Sequence, residues 1–172
     1  MQKKLNLKIK YRESFRPFAP SVLEEDKDQY FDLKTNSPYM LLIGKVKKRI
    51  REILPDNYNS LPLFKRLYVK RSKLQSITHM DFSARIQTVS KDTNPAFWHL
   101  INDFKQITGH GVLINTSFNV RGEPIVCSPD DAYKCFMNTD MDYLVIDNYI
   151  YTKKDQQNLN ESNKWKMNFK ED

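Results

Sequence analysis

A short apolar run that ends in a dense polar cluster is the feature of this sequence best suited to chemistry. Residues 112–114 are Val-Leu-Ile, and the polar residues that follow are Asn115, Thr116, Ser117, Asn119 and Arg121. Three apolar residues are too few for a helix and are typical of a buried strand that leads into a loop. The loop offers amides, hydroxyls and a guanidinium, which suit phosphate, carboxylate or carbamoyl oxygens. The alternative is an ordinary polar loop whose side chains bond their own backbone.

Two further segments place cations among aromatic and polar residues. Residues 10–20 read Lys-Tyr-Arg-Glu-Ser-Phe-Arg-Pro-Phe-Ala-Pro, and their cations are Lys10, Arg12 and Arg16. Residues 78–88 read Thr-His-Met-Asp-Phe-Ser-Ala-Arg-Ile-Gln-Thr, with Arg85 in an alternating, strand-like run. A planar guanidinium binds two oxygens at once, so these arginines indicate an anionic ligand. The alternatives are a solvated lysine at the first segment and a surface ion pair at Arg85.

Taken in order, the three segments resemble the C-terminal domain of the O-carbamoyltransferases, which decorate antibiotics and nodulation factors. The family pattern reads roughly R-E-x-F-R-P-F-A-P, then T-H-x-D-x-x-A-R-x-Q-T, then N-T-S-F-N-x-x-G-E-P-I, and all three occur here. The resemblance runs from about residue 5 to about residue 150. Phe82 departs from it, because the family commonly has glycine at that position. Residues 41–76 also look longer and more basic than expected between the first two segments.

The resemblance implies a fold and a reaction. The implied fold is YrdC-like, an α/β fold with a mixed, twisted open sheet and a concave nucleotide-binding face. The implied reaction forms carbamoyl adenylate from ATP and carbamoyl phosphate, and a separate N-terminal domain, related to the actin ATPases, transfers the carbamoyl group to a hydroxyl acceptor. ATP is thus expected as a substrate, and a metal ion is expected in that other domain and not in this chain. With four glycines and no Walker-type loop, phosphates must be held mostly by side chains.

The resemblance also distributes roles among the polar residues. Those expected to act on the reacting groups are Arg85, Asn115, Ser117 and Arg121. Those expected to bind the nucleotide or carbamoyl phosphate are Lys10, Arg12, Arg16, Thr116 and Asn119. Glu123, beside Gly122 and Pro124, is predicted to anchor its loop by pairing with Arg121. His79 and Asp81 would share one face of a strand, and a structural histidine is preferred there over a metal pair or an acid/base dyad.

Local signals predict the elements that must position these residues. A helix should begin after Asn94 as N-cap, with Pro95 at its first position, and end at Gly109. It should pack on a sheet through a stripe that comprises Phe97, Leu100, Ile101, Phe104 and Ile107. A buried strand follows at residues 112–115, and the pair is typical of an α/β domain.

The C-terminal third contains a second helix and a hairpin. Ser128-Pro-Asp-Asp should open the helix, whose apolar face would comprise Ala132, Cys135 and Phe136. Residues 143–146 and 149–151 flank Asp-Asn and predict a two-residue hairpin turn. We predict one domain over residues 1–152 and a disordered polar tail over residues 153–172.

The net charge of +7 arises in one segment, because residues 41–76 carry ten Lys or Arg against two acids, or +8, and the rest sums to −1. Residues 44–54 are predicted to form an amphipathic helix with the cations on its solvent face. The segment is expected to be dispensable for nucleotide binding and to dock a partner domain or an acidic acceptor. A nucleic-acid module and a non-catalytic partner domain are the alternatives. A homodimer is also compatible, since it could cover exposed sheet edges.

Composition restricts the location of the protein and the role of its cysteines. No apolar run approaches the roughly 20 residues of a membrane-spanning helix, and the N-terminus lacks an apolar signal core, so a soluble cytoplasmic protein is expected. Cys127 and Cys135 match no zinc or disulfide pattern and are predicted to be buried thiols.

Overall fold

The computed structural model describes residues 1–156 of the chain, which form two compact units. The sheet unit is the continuous stretch Pro17–Thr116, and the terminal unit combines Met1–Arg16 with the chain from Ser117 onward. None of the helices in this part of the chain is both long and apolar enough to cross a membrane. In chain order the elements are α1 (Gln2–Lys8), β1 (Ala19–Leu23), α2 (Lys27–Tyr30), β2 (Phe31–Asp32), β3 (Leu42–Val46), α3 (Leu63–Leu67), β4 (Ser83–Val89), α4 (Pro95–Thr108), β5 (Val112–Asn115), α5 (Pro129–Met137), β6 (Tyr143–Ile146) and β7 (Tyr149–Thr152).

Five strands of the sheet unit form one open sheet in the order β2-β3-β4-β1-β5. β1 runs parallel to β4, with Ser21 opposite Gln87, and the other neighbouring pairs are antiparallel. All five residues of β1 are buried, as expected of a strand inside the sheet. The sequence prediction of an α/β fold with a mixed open sheet is confirmed.

The predicted helix after Asn94 is confirmed as α4. The Asn94 side chain accepts a hydrogen bond from the Phe97 amide, and Gly109 ends the helix with φ 76°. The helix packs on the sheet, where the buried cluster is Leu23, Val89 and Ile101, with Phe97, Trp98 and Leu113 against it. The predicted apolar stripe is only partly buried, because Leu100 is 59% and Ile107 is 85% exposed. The face that meets the sheet uses Trp98 in their place.

The predicted helix over residues 44–54 is wrong. The chain instead forms β3, followed by a short 3-10 turn at Lys48–Ile50. β3 pairs with β2 on one side and β4 on the other, and Gly44 allows that packing: a Cβ there would lie 2.8 Å from Ile86 Cδ1 and 2.9 Å from the Asp32 carbonyl oxygen. Tertiary strand pairing has therefore overridden a local pattern of helical period.

Most cations of the basic segment serve the structure of the sheet unit. The Arg71 guanidinium is buried and donates to the backbone carbonyls of Leu67, Val69 and Arg66. Ion pairs join Lys45 to Asp81, Lys47 to Asp32 and Lys70 to Glu52, while Arg49, Arg51 and Arg66 donate to backbone carbonyls. The segment is thus much less of a free positive surface than its charge of +8 indicates.

The terminal unit contains α1, α5 and the β6-β7 hairpin. Its core cluster is Ala132, Phe136 and Leu144, so the predicted second helix and its apolar face are confirmed. Ser128 and Asp131 form a reciprocal capping box at the start of α5. The predicted hairpin is also confirmed, and Asp147 in its turn has φ 50°. Cys135 is buried as predicted, whereas Cys127 is exposed.

The predicted tail begins at a residue that is bonded to the terminal unit. Lys153 Nζ donates to the carbonyl oxygens of Phe136 and Thr139 near the end of α5, and Lys153–Asp155 forms a 3-10 turn. Carbonyls at a helix C-terminus lack partners within the helix, so an ammonium placed there stabilises the helix end. Residues 157–172 of the predicted tail lie outside the described residues.

We expect a methyl group at Gly111 to destabilise the sheet unit. A Cβ there would lie 2.6 Å from Oδ2 of Asp26, a buried carboxylate that accepts a hydrogen bond from Lys105 Nζ at 2.9 Å. Gly111→Ala should lower the free energy of unfolding by about 1 to 3 kcal/mol, measured by chemical denaturation. In an Asp26→Ala background the same substitution should cost much less, and an undiminished cost there would exclude this clash as the cause.

Candidate functional site

A cationic pocket of about 260 Å³ lies within the terminal unit. Its charged residues are Lys10, Arg12, Arg16, Arg121 and Glu13, and Ser117, Asn119, Val120 and Gly122 complete its lining. Four cations against one carboxylate give the lining a formal charge of +3. A concave surface of one sign concentrates ions of the opposite sign, so the pocket is suited to an anion. Six of the nine residues predicted for the site therefore share one pocket.

The Lys10 ammonium joins the N-terminal segment to the loop after β5. Lys10 is 5% exposed, and its Nζ contacts the Ser117 carbonyl oxygen at 2.9 Å and the Asn119 carbonyl oxygen at 2.5 Å. The same nitrogen lies 2.8 Å from Asn119 Oδ1 and 3.3 Å from Ser117 Oγ. These four oxygens occupy the three protons of the ammonium, so Lys10 acts on the shape of the pocket through the loop.

The loop is further held by its own side chains. Ser117 Oγ donates to Asn119 Oδ1 at 2.6 Å, and Asn119 Nδ2 donates to the Glu123 carbonyl oxygen at 2.7 Å. The Glu123 carboxylate accepts from the Val120 amide at 2.8 Å, so Glu123 anchors the loop through its backbone. Gly122, with φ 75°, supplies the left-handed turn between Arg121 and Glu123. Ser117 and Asn119 thus act as much in organising the loop as in lining the pocket.

Burial sets the proton affinity of Lys10. The pKa of Lys10 is lowered to about 8, by burial first and then by the neighbouring positive charge of Arg12, while Cys135 and Glu123 act in the opposite direction. The pKa of the Cys135 thiol is raised to about 12 by its burial and then by the Glu123 carboxylate. The buried Cys135 thiol is therefore protonated at neutral pH, which does not suit it to act as a nucleophile.

The arginines at the pocket are supported by a residue that the sequence reasoning missed. Asn6, on α1, is fully buried, and its carboxamide bonds both the Arg12 side chain and the backbone at Arg16. Arg16 also pairs with Glu13 at 3.1 Å. Nothing in the sequence singles out Asn6, because an asparagine in a short polar helix is ordinary.

The remaining predicted site residues belong to the sheet unit. Asn115 Nδ2 donates to Ser21 Oγ at 3.0 Å and to Gln87 Oε1 at 2.7 Å, so its amide nitrogen bridges three strands of the sheet. Arg85 is exposed on β4 opposite Ile43, and Thr116 is exposed just after β5. Ser21 and Gln87, which bond Asn115 in the sheet, were not predicted as site residues.

His79 and Asp81 do not lie on a strand, which corrects the geometry assumed for them. They lie in a turn before β4, where Asp81 accepts from Lys45 Nζ at 2.6 Å and Ser83 Oγ at 2.6 Å. These hydrogen bonds, the Lys45 bond first, hold the pKa of Asp81 well below its usual range. Within residues 1–156 no three His, Cys, Asp or Glu side chains converge as metal ligands would.

The turn also explains the departure at Phe82. Its φ is 63°, in the left-handed region that glycine adopts at little cost. The Arg51 guanidinium lies 4.9 Å from the centre of the Phe82 ring, and such a cation–π contact contributes about 0.5 to 1 kcal/mol at an exposed site. The aromatic contact partly offsets the backbone strain of a residue that has a side chain.

The chain is thus an α/β protein with a cationic pocket in its terminal unit. The family model described as "Carbamoyltransferase C-terminus" matches residues 1–153. The chain therefore belongs to the carbamoyltransferase family and corresponds to its C-terminal domain, as the three sequence segments predicted.

Individual relatives agree with this assignment. An uncharacterized protein of Synechocystis sp. is 52% identical over the whole chain, which covers 28% of that relative. Nodulation protein NolO of Bradyrhizobium diazoefficiens is 40% identical over 88% of the chain, or 24% of its own length. The 3'-hydroxymethylcephem-O-carbamoyltransferase of Amycolatopsis lactamdurans is 36% identical over 69% of the chain and 18% of its own length. The chain spans about a quarter of the length of the first two.

We expect the affinity of the pocket for an anion to fall as the pH rises above about 8. Below its pKa of about 8, Lys10 is charged and adds a positive charge to the pocket. A bound anion stabilises that charge and raises the pKa of Lys10. The affinity for the anion is therefore full below the pKa of the ligand-free protein and declines as the pH rises above it. Sulfate keeps a constant charge in this range, and titrations at about pH 7 and about pH 9.5 measure the change. Lys3→Gln, which alters an exposed lysine on α1, should keep the same dependence; equal affinities of the parent at both pH values would contradict the role of Lys10.

Proposed function

We propose that this chain is the carbamoyl-activating part of an O-carbamoyltransferase, and that its cationic pocket holds phosphate groups of carbamoyl phosphate and ATP. The observation that supports the proposal most directly is the convergence of Lys10, Arg12, Arg16 and Arg121 on one pocket of about 260 Å³. Membership of the carbamoyltransferase family adds the identity of the anion, because carbamoyl phosphate is the carbamoyl donor that the family resemblance implies.

The chemistry of activation suits a site built from cations and amides. In the proposed reaction, water cleaves carbamoyl phosphate to carbamate and inorganic phosphate, and a carbamate oxygen then bonds to the α-phosphorus of ATP as pyrophosphate leaves. Two polyanions must approach each other, and negative charge spreads over phosphate oxygens in the transition state. Guanidinium groups that are already in place stabilise that charge without reorganisation. Arg12, Arg16 and Arg121 have this role in the proposal, and no protein nucleophile is required.

Lys10 and the loop supply the second part of the proposed mechanism. Lys10 fixes the carbonyls of Ser117 and Asn119, and thereby the direction in which Arg121 leaves the loop. A preorganised arginine loses less side-chain entropy when it binds an oxyanion, which raises affinity without any new contact. In the sheet unit, Arg85 and Thr116 are proposed to orient the carbamoyl group or the nucleotide through their own donors. Asn115, whose amide hydrogens bond Ser21 and Gln87, is proposed to do so through its side-chain oxygen.

Transfer to the acceptor is proposed to take place elsewhere. Because the chain spans about a quarter of its longer relatives, the acceptor site is assigned to the remaining three quarters of such a polypeptide or to a separate subunit. Three lysines of the basic segment, Lys48, Lys65 and Lys73, are proposed to contribute charge to docking that partner, which would mainly accelerate encounter and weaken with salt. A nucleic-acid module is less well supported, because most cations of the segment bond within the chain.

The test is calorimetric titration of the whole chain with carbamoyl phosphate, with ATP, and with both. We expect each ligand to bind, and the triple variant Lys48→Gln, Lys65→Gln, Lys73→Gln to bind them like the parent, since these residues lie outside the pocket. Millimolar ligand that produces neither heat nor a change in the NMR spectrum of well-folded protein would exclude the proposed function.

The forked shape of Arg121 should matter as much as its charge. Arg121→Lys should weaken carbamoyl phosphate binding nearly as much as Arg121→Ala, by about 1.5 to 3 kcal/mol, because a lysine cannot make the two-point contact. The titration above measures both variants, and Arg49→Lys, at a guanidinium of the sheet unit, is the control and should have no effect. If Arg121→Lys binds like the parent, Arg121 acts only as a point charge or not at all.

A further inference from the structure

Asn6 is a fully buried polar residue whose whole carboxamide is committed to the segment that carries two pocket arginines. Its Oδ1 accepts a hydrogen bond from Arg12 Nε at 2.7 Å, and its Nδ2 donates to the Arg16 carbonyl oxygen at 2.8 Å and to the Ser14 carbonyl oxygen at 3.3 Å. The backbone carbonyl oxygen of Asn6 also accepts a hydrogen bond from the backbone amide of Arg12 at 3.0 Å. One side chain thus fixes both the path of residues 12–16 and the plane of a guanidinium.

The electrostatics of the pocket explain why such a residue is needed. Burial and then the charge of Arg16 lower the pKa of Arg12, and burial and then the charge of Arg12 lower the pKa of Lys10. The second contribution in each case is repulsion between neighbouring cations of the pocket. Left to themselves, flexible side chains of like charge would separate toward solvent, which would enlarge the pocket and dilute its field.

A neutral carboxamide opposes that repulsion without cancelling the charge. An aspartate at the same position would also accept from Arg12, but it would neutralise one of the four cations and place an oxygen against two backbone carbonyls. An alanine would leave the Arg12 Nε–H and the carbonyls of Ser14 and Arg16 without these bonds. Asparagine is the residue that offers an acceptor for the guanidinium and a donor for the backbone at zero charge.

The backbone geometry between Asn6 and Arg12 is consistent with this function. Tyr11 has φ 48°, a left-handed conformation that costs a residue with a side chain of order 1 kcal/mol or more. Through this turn Lys10 reaches the loop at Ser117 and Asn119, while Arg12 reaches Asn6. The bonds made by the two neighbours on either side hold Tyr11 in that conformation.

We propose that Asn6 is a positioning residue for the anion pocket, which it serves by holding Arg12 and the backbone at Arg16 in the orientation that binds phosphate oxygens. This inference rests on the proposed function of the pocket. It adds to that function a residue that does not line the pocket and touches no ligand.

The test compares Asn6→Ala and Asn6→Asp with the parent in the whole chain. Calorimetric titration with pyrophosphate gives the affinity, and denaturation gives the stability of each variant. We expect both variants to lose about tenfold or more in affinity, the equivalent of one charge-assisted hydrogen bond. Asn138→Ala is the matched control, because Asn138 is another buried asparagine of the terminal unit, bonds Lys134 within α5 and does not line the pocket. It should lose stability and keep the affinity.

A second measurement separates positioning from general destabilisation. The Arg12 Nε–H proton, bonded to Asn6, should give a slowly exchanging NMR signal in the parent and in Asn138→Ala, and should exchange rapidly in Asn6→Ala. Asn6→Asp, which keeps the acceptor, should retain that signal and still bind weakly, because it removes net charge from the pocket. Should Asn6→Ala prove unfolded, Asn6→Ser decides the question, because its shorter neutral side chain cannot bond both Arg12 Nε and the Arg16 carbonyl and should lose both the slow exchange and the affinity.

The outcomes distinguish the two proposals. Failure of the parent to bind pyrophosphate, carbamoyl phosphate or ATP would overturn the proposed function and this inference with it. Binding by the parent with equal binding by folded Asn6→Ala or Asn6→Asp would overturn only the role of Asn6. An affinity loss in Asn138→Ala as large as in Asn6→Ala would also overturn it, since any destabilisation of the unit would then suffice.

Discussion

The buried Lys10 ammonium is the interaction on which the terminal unit and its pocket depend. It bonds oxygens of Ser117 and Asn119, which are 107 and 109 residues further along the chain. A buried charge is costly unless every proton finds a partner, and here the partners come from a loop that also bonds within itself through Ser117, Asn119 and Glu123. The cost of removing the ammonium from water, visible in its lowered pKa, is thus offset by fixing the loop that presents Arg121. The Lys10 ammonium therefore both adds charge to the pocket and fixes the loop that lines it.

Elements with local signals could be predicted from the sequence, and elements fixed by distant contacts could not. Helix α4 was predicted with both ends correct because Asn94, Pro95 and Gly109 act on their own backbone. The helix prediction for residues 44–54 failed for the opposite reason. Their apolar spacing is helical, but the pairing of β3 with two neighbouring strands decides the structure. A period read from one segment contains no information about which distant strand will bond it.

The site shows the same division. Six predicted residues share one pocket because their motifs retain the chemical types that an anion requires, and type can be read from sequence. Asn6 was missed because its importance lies in three hydrogen bonds and full burial, neither of which an isolated asparagine reveals. Phe82 lies between these cases. Its departure from the family's glycine was visible in the sequence, whereas the left-handed φ that gives the departure its meaning was not.

Net charge by segment is a poor guide to where positive charge converges. In the basic segment, residues 41–76, most cations form ion pairs or donate to backbone carbonyls, and Arg71 is almost completely buried. The pocket has only four cations, but they converge on one concave surface of the terminal unit, against a single carboxylate. Potential depends on convergence and on how many counter-charges lie nearby, so four cations around one concave surface favour an anion more than ten cations of which most are bonded within the chain. In the positioning role proposed for it, the neutral residue Asn6 contributes to that convergence by holding Arg12 and the backbone at Arg16 without adding a negative charge to the pocket.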